Sequence, residues 1–200
     1  VECVGLLHAV KIDRHLDDHL NTIARLREQS ALIEEIAGLM IRCLTAGGRI
    51  FWLGNGGSAA DSQHLASELV GRFERDRPGL ASHALTTDSS ALTAIGNDYG
   101  FDQIFARQVE SLCRPEDLVI GISTSGNSPN VLRAMEKARA LGALTVGFGG
   151  RGGGRLKDLV DACLIVACDN TARIQEAHLL VGHILCDLVE AHFSPPSPDA

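Results

Sequence analysis

The sequence predicts an α/β fold: a five-stranded parallel sheet flanked by helices in a flavodoxin-like, three-layer arrangement, with an N-terminal helical hairpin. Three observations predict it. Five short apolar runs, each too brief for a helix, recur from residue 49 onward. Helical patterns separate most of them, the alternation expected of a parallel sheet covered on both faces. Ahead of the first run, residues 12–46 place apolar side chains at spacings of three and four.

In that leading region the repeat is Leu16, Leu20, Ile23 and Leu26, then Leu32, Ile33, Ile36, Leu39 and Met40. The glycines of TAGG (45–48) stop it. RIFWLG (49–54) opens an α/β core that extends to residue 193. A helix is predicted over 58–75, with Ser58 as its N-cap and Asp61 completing an S-x-x-D capping pattern. SHALTT (82–87) is the second strand, and 88–111 reads as helix broken near Gly96. DLVIGIS (117–123), a helix over 128–141, LTVGF (144–148), CLIVA (163–167) and a helix over 171–193 complete the alternation. The Pro-rich tail at 194–200 is expected to fray. No repeat, linker or charge block interrupts residues 1–200, which read as a single domain.

Composition narrows the class. At 45% hydrophobic and 22% charged residues, the chain has the balance of a soluble globular protein. A net charge of −7 argues against nucleic acid as the main partner, because no basic excess is present to neutralise phosphates. Six cysteines without a CxxC pair suggest reduced, buried thiols and a cytoplasmic address. The opening VECVGLLHAVK lacks a basic leader and a small-residue cleavage site, so no signal peptide is expected. No apolar run approaches the ~18 residues of a membrane span.

In open parallel sheets ligands bind beyond the carboxyl ends of the strands. The loops after 51–54 and 117–122 are therefore the candidates. The first is Gly54-Asn55-Gly56-Gly57-Ser58, whose glycines permit close approach to a ligand and whose helix start offers free N–H groups to an anion or polarised oxygen. The plain alternative is a tight strand-to-helix turn. GNGGSA also satisfies a GxGxxA dinucleotide pattern, but the next strand lacks the acidic residue such a site needs. No GK[ST] is present, which excludes a Walker loop. The second loop, STSGNSPN (123–130), crowds Ser123, Thr124, Ser125 and Ser128 around Gly126, with Ser128 placed as N-cap and Pro129 at the first helical position. Hydroxyls and helix N–H groups make a phosphate cradle that needs no lysine, whereas a simple capping role explains only one of the four.

Two helices carry candidate metal and acid–base groups. In 58–75, Leu65, Ala66, Leu69 and Phe73 face the core, and Asp61, His64, Glu68, Arg72 and Arg75 form a polar stripe. His64 and Glu68, one turn apart, can chelate one cation; the alternative is a solvated stripe pairing Glu68 with Arg72. In 171–193, Ile174, Ala177, Val181, Ile184, Leu185 and Leu188 form the expected apolar face, with Gln175, His178 and His183 off it. Gln175 and His183 stand eight residues apart, a rise of ~12 Å. Sharing one metal requires stretched side chains or different chains.

GNGGSAADSQHLASE, DRPG, LTTDSSALTAIGNDYGF, GISTSGNSPN and RIQEAHLLVGH together resemble the phosphoheptose isomerases of the sugar isomerase (SIS) fold, over residues 45–192. That resemblance implies isomerisation of a phosphorylated seven-carbon sugar, sedoheptulose 7-phosphate, in bacterial heptose synthesis for lipopolysaccharide or related glycans. It implies a homotetramer with active sites between subunits. It places Asn55, Gly56, Gly57, Asn97 and Asp98 at the sugar, with Ser123, Thr124, Ser125 and Ser128 at the phosphate. His64, Glu68, Gln175 and His183 would bind one zinc ion, and Glu68 and His183 would be the acid–base pair. Two alternatives remain open. One is a non-catalytic SIS protein that binds the replication initiator, a group expected to lack equivalents of Glu68 and His183. The other is an isomerase for another phosphosugar.

Overall fold

Strands β1 (Ile50–Gly54), β2 (Ser82–Ala84), β3 (Leu118–Ser123), β4 (Leu144–Gly150) and β5 (Ala162–Val166) pair in parallel in the order β2-β1-β3-β4-β5. The computed structural model describes residues 2–194, with side-chain surroundings from residue 11 onward. The expected fraying at 195–200 lies outside the described residues. Register places Ile50 beside Leu118, Gly54 beside Ile122 and Ser123 beside Gly149. The order reverses at β1 and β3, so both candidate loops leave the sheet at its switch point.

Alternate side chains of the strands bury opposite faces, which is why the strands read as continuous apolar runs. Trp52, Ile120, Val146 and Phe148 pack against α2 (Ser30–Thr45), α3 (Gly57–Val70) and α7 (Thr171–Phe193). Phe51, Leu53 and Val119 face α5 (Ala106–Leu112) and α6 (Pro129–Ala140). Trp52 has no exposed surface, and its indole N–H donates to Ser82 Oγ at 3.0 Å. The largest apolar side chain is thereby buried without an orphaned polar atom.

Four details differ from the sequence expectation. The leading helical region starts earlier, as α1 (Glu2–Ala24), and a 3₁₀ turn at Arg25–Gln29 divides it from α2. That turn presents a side chain to the sheet. The Gln29 carboxamide donates to Ile165 O at 2.9 Å and accepts from Ile165 N–H at 3.2 Å. It thus pairs with the open edge of β5 as a neighbouring strand would. The helix predicted at 58–75 stops at Val70, where the Arg77 guanidinium takes up the carbonyls of its last turn. The predicted break near Gly96 falls instead at Gly100, where φ is 88°, leaving Gly96 inside α4 (Ser89–Tyr99). Ser58 is not the N-cap of α3; Gly56 is, at φ 58° and ψ −120°, a conformation side chains oppose. Ser58 is buried inside the first turn, where its carbonyl accepts from Ser62 Oγ.

The buried face of α7 keeps Ile174, Ala177, Val181 and Leu185 of the expected stripe but is broader than it. His178, Gly182, Cys186, Val189 and Glu190 are buried, whereas Ile184 and Leu188 are over a third exposed. The helix touches both the sheet and α3, so a single periodic stripe does not describe its contacts.

Candidate active site

The two loops meet above the switch point. Asn55 and Asn130 exchange amide hydrogen bonds of 2.9 and 2.8 Å, fastening one loop to the other. Beside Asn55 and Gly56 opens a cavity of about 410 Å³, also lined by Thr86, Thr93, Phe101 and Phe105. In the second loop Ser123 Oγ lies 2.9 Å from Ser128 Oγ and 3.4 Å from Ser125 Oγ. Ser125 Oγ accepts from Asn127 N–H at 3.1 Å. Pro129 does begin α6 and Ser128 precedes it, but the Ser128 hydroxyl makes no cap bond and turns to Ser123 instead. The hydroxyls therefore converge on one another rather than on the helix end, where Pro129 has no N–H and Val131 N–H donates to Asn130 Oδ1 at 3.0 Å.

The carboxyl end of β4 supports this loop, a part the sequence reading overlooked. Arg155 N–H donates to Asn127 Oδ1 at 3.1 Å, and Leu156 N–H to the Gly126 carbonyl at 3.0 Å. A Cβ on Gly126, whose φ is 64°, would fall 2.0 Å from the Gly153 carbonyl oxygen. The glycine run after Phe148 was the signal that marked this close approach.

His64, Glu68 and His183 form the second constellation. Glu68 Oε1 lies 3.0 Å from His64 Nε2, which lies 3.3 Å from His183 Nε2. One ligand-capable atom from each lies within 4.8 Å of the others. Two imidazole nitrogens and a carboxylate converging in this way form a donor set suited to zinc, with coordination positions left for substrate. Glu68 thus turns to His64, and the alternative partner Arg72 bonds the Glu74 carbonyl. Asp61 lies near the cluster; burial holds its carboxyl pKa above the ordinary value, and the two histidines offset only part of that rise.

The approach of α7 to α3 depends on Gly182, where a Cβ would fall 2.5 Å from Leu65 Cδ1. Phe73 then stacks on the His183 ring at 5.5 Å between centroids. Phe73 is held because the buried carboxylate of Glu190 accepts N–H bonds from Phe73, Glu74 and Arg75 at 2.7–2.8 Å. Burial alone would raise the Glu190 pKa, but these donors and Arg77 outweigh it and leave the carboxyl below its ordinary range. Arg77, from the DRPG segment, lies 3.3 Å from Glu190 and donates to the carbonyls of Glu68, Leu69 and Gly71. Its guanidinium satisfies the orphan carbonyls at the end of α3, which is why the helix stops there. Neither Phe73 as a ring support nor the Arg77–Glu190 pair was legible beforehand, because their partners lie over a hundred residues away.

Gln175 packs against the start of α3. Its Nε2 lies 2.6 Å from where a Cβ on Gly57 would stand, so only glycine leaves room for this carboxamide against the first loop. Asn97 and Asp98 are exposed and bond each other at 2.8 Å. They lie outside the lining of the cavity, to which α4 presents Leu92, Thr93 and Gly96.

Fold and site together define a SIS-domain protein, and the SIS domain family model matches residues 14–150. A phosphoheptose isomerase of Solidesulfovibrio magneticus is 57% identical over 163 residues, 82% of this chain and 79% of the relative. One from Trichlorobacter lovleyi is 52% identical over 180 residues, covering 90% and 92%. The solved structure of a phosphoheptose isomerase from Francisella tularensis superposes with a TM-score of 0.89 at 38% identity, covering 92% of this chain and 98% of that one. The chain belongs to the phosphoheptose isomerase family.

Proposed function

We infer that the chain is an aldose–ketose isomerase that converts sedoheptulose 7-phosphate to D-glycero-D-manno-heptose 7-phosphate, the first step of bacterial heptose synthesis. The observation that carries this reading is the convergence of Glu68 and His183 in a chain whose sheet also offers a hydroxyl-lined anion loop. Isomerisation moves a proton between C1 and C2 through an enediolate, so it needs a base, an acid and a fixed phosphate end. Glu68 and His183 are the proposed acid–base pair, held in register by His64 and Phe73. Ser123, Thr124, Ser125 and Ser128 hold the phosphate; Asn55, Gly56, Gly57, Asn97, Asp98 and Gln175 orient the sugar. Zinc bound by His64, Glu68 and His183, with Gln175 as the fourth ligand, would polarise the carbonyl as a Lewis acid.

A homotetramer is part of this proposal. Ile12, Leu16 and Leu20 on α1 and Leu180, Ile184 and Leu188 on α7 are exposed apolar side chains on two helices joined by His19–Glu176. Such a surface suits contact with further copies, and neighbouring subunits would bring Asn97 and Asp98 into a shared site. The setting is cytoplasmic, with the product feeding lipopolysaccharide or related glycans. No described helix is long and apolar enough to cross a membrane.

The test is incubation of purified protein with sedoheptulose 7-phosphate, with and without added zinc, and chromatographic identification of the product. Formation of the aldoheptose 7-phosphate is expected. Unchanged ketose in both arms, with the protein folded, overturns the reading.

A further inference from the structure

Residues 149–154 read Gly-Gly-Arg-Gly-Gly-Gly, and this segment embraces the hydroxyl loop at two points. A Cβ on Gly150 would fall 2.6 Å from the Thr124 carbonyl oxygen, and Gly153 crowds Gly126 in the same way. Arg151 and Gly152 bridge the interval between the two contacts. The strand end they leave is fixed: His178 Nε2 lies 2.9 Å from the Gly149 carbonyl oxygen, and Arg151 N–H donates to the Cys168 carbonyl at 3.2 Å.

Arg151 has a φ of 57° and is the only non-glycine at positive φ among the described residues. That conformation costs an L side chain roughly 1–2 kcal/mol and costs glycine no steric penalty. Glycine occupies both positions on either side, yet the left-handed position itself carries an arginine. Persistence of such strain points to a function of the side chain. Arg151 is exposed and forms no ion pair among the described residues, whereas Arg155, four residues on, reaches Glu136 at 3.8 Å. The loop Ser123–Asn130 contains no cation of its own. A phosphomonoester carries close to two negative charges at neutral pH, and the chain is already at −7. Hydroxyls and N–H groups supply hydrogen bonds but no compensating full charge.

We propose that Arg151 is a phosphate-positioning residue, supplying the positive charge that the hydroxyl cradle lacks. The inference rests on reading Ser123–Ser128 as the phosphate site. Arginine suits this role, because its planar fork can bond two phosphate oxygens at once, and it is carried between Gly150 and Gly153, which pack against the cradle.

Arg151→Gly removes the charge and relieves the backbone strain together, so a folded variant is expected. Inorganic phosphate is titrated calorimetrically into wild type, Arg151→Gly, Arg151→Lys and Ser128→Ala, and KM and kcat for sedoheptulose 7-phosphate are measured alongside. Arg151→Gly should weaken phosphate binding and raise KM about tenfold, the scale of one charge-assisted contact, while kcat changes less than about twofold. Arg151→Lys should fall between. Added salt should weaken phosphate binding more in wild type than in Arg151→Gly, because screening acts on the charge that the variant lacks. If Ser128→Ala weakens phosphate binding and Arg151→Gly leaves binding and KM at wild-type values, the role assigned to Arg151 is overturned and the cradle stands. If wild type binds no phosphate, or Ser128→Ala binds it unchanged, the cradle and the inference fall together.

Discussion

Glu68 and His183 can be separated experimentally from the phosphate end of the site, because they lie in a different cluster from the hydroxyl loop. Glu68→Gln keeps the volume and removes the carboxylate, and His183→Gln removes the titratable ring. Turnover should fall about 10²-fold or more in each, with phosphate binding little changed. Zinc content must be measured on both variants, since each also loses a proposed zinc ligand. Near-normal turnover of Glu68→Gln with zinc retained would remove Glu68 from the proton transfer. His64 and Glu68 stood out because their spacing places them on one helix face. The third partner, His183, needed the resemblance and then the structure, since its approach runs through Gly182 and Leu65.

At the scale of elements, α3 is shaped by what packs on its end and flank. Arg77→Ala would leave the Glu190 carboxylate without its buried cation, only the exposed Arg75 remaining at 4.0 Å, and strip donors from the carbonyls of Glu68, Leu69 and Gly71. Breaking a buried pair in this way costs about 3–5 kcal/mol, so a lowered thermal midpoint is expected. Unchanged stability would mean that the pair contributes little to holding α3. Gly182→Ala addresses the flank. Its methyl would meet Leu65 inside the core, costing about 1–3 kcal/mol in overpacking, and should push His183 away from His64. Zinc bound per chain should drop even at temperatures where the variant remains folded. Full zinc occupancy would show that α7 can shift without opening the cluster.

For the whole molecule, two predictions concern acid stability and assembly. Burial lowers the His178 pKa from 6.5 to about 4, so the ring is neutral in the fold and more basic once unfolded. The Glu190 pKa is depressed as well. In both cases the unfolded chain binds more protons, so the stabilisation is complete above the unfolded values and is lost as pH falls through the folded ones. Denaturant titrations should show stability declining from about pH 6.5 towards pH 4, and His178→Gln should flatten that limb. An acid limb identical in wild type and variant would remove His178 as its cause. Light scattering should give a particle of four chains of 21.3 kDa each at micromolar concentration. A monomer would contradict the role assigned to the exposed stripes of α1 and α7.

The sequence by itself determined the class of fold, because apolar runs and helical periods are local properties of the chain and a parallel sheet buried on both faces produces them directly. It also determined both candidate loops, since the glycines and hydroxyls are contiguous and lie where β1 and β3 end. Tertiary structure decided what local pattern does not encode. Arg77, rather than residue propensity, ends α3, and the contact with α3 and the sheet sets which face of α7 is buried. Gln29 closes the edge of β5 from 136 residues away. Gln175 faces Gly57, while His183 reaches His64 across 119 residues. Helical spacing reports which side chains share a face, but which faces meet depends on packing between segments distant in the chain.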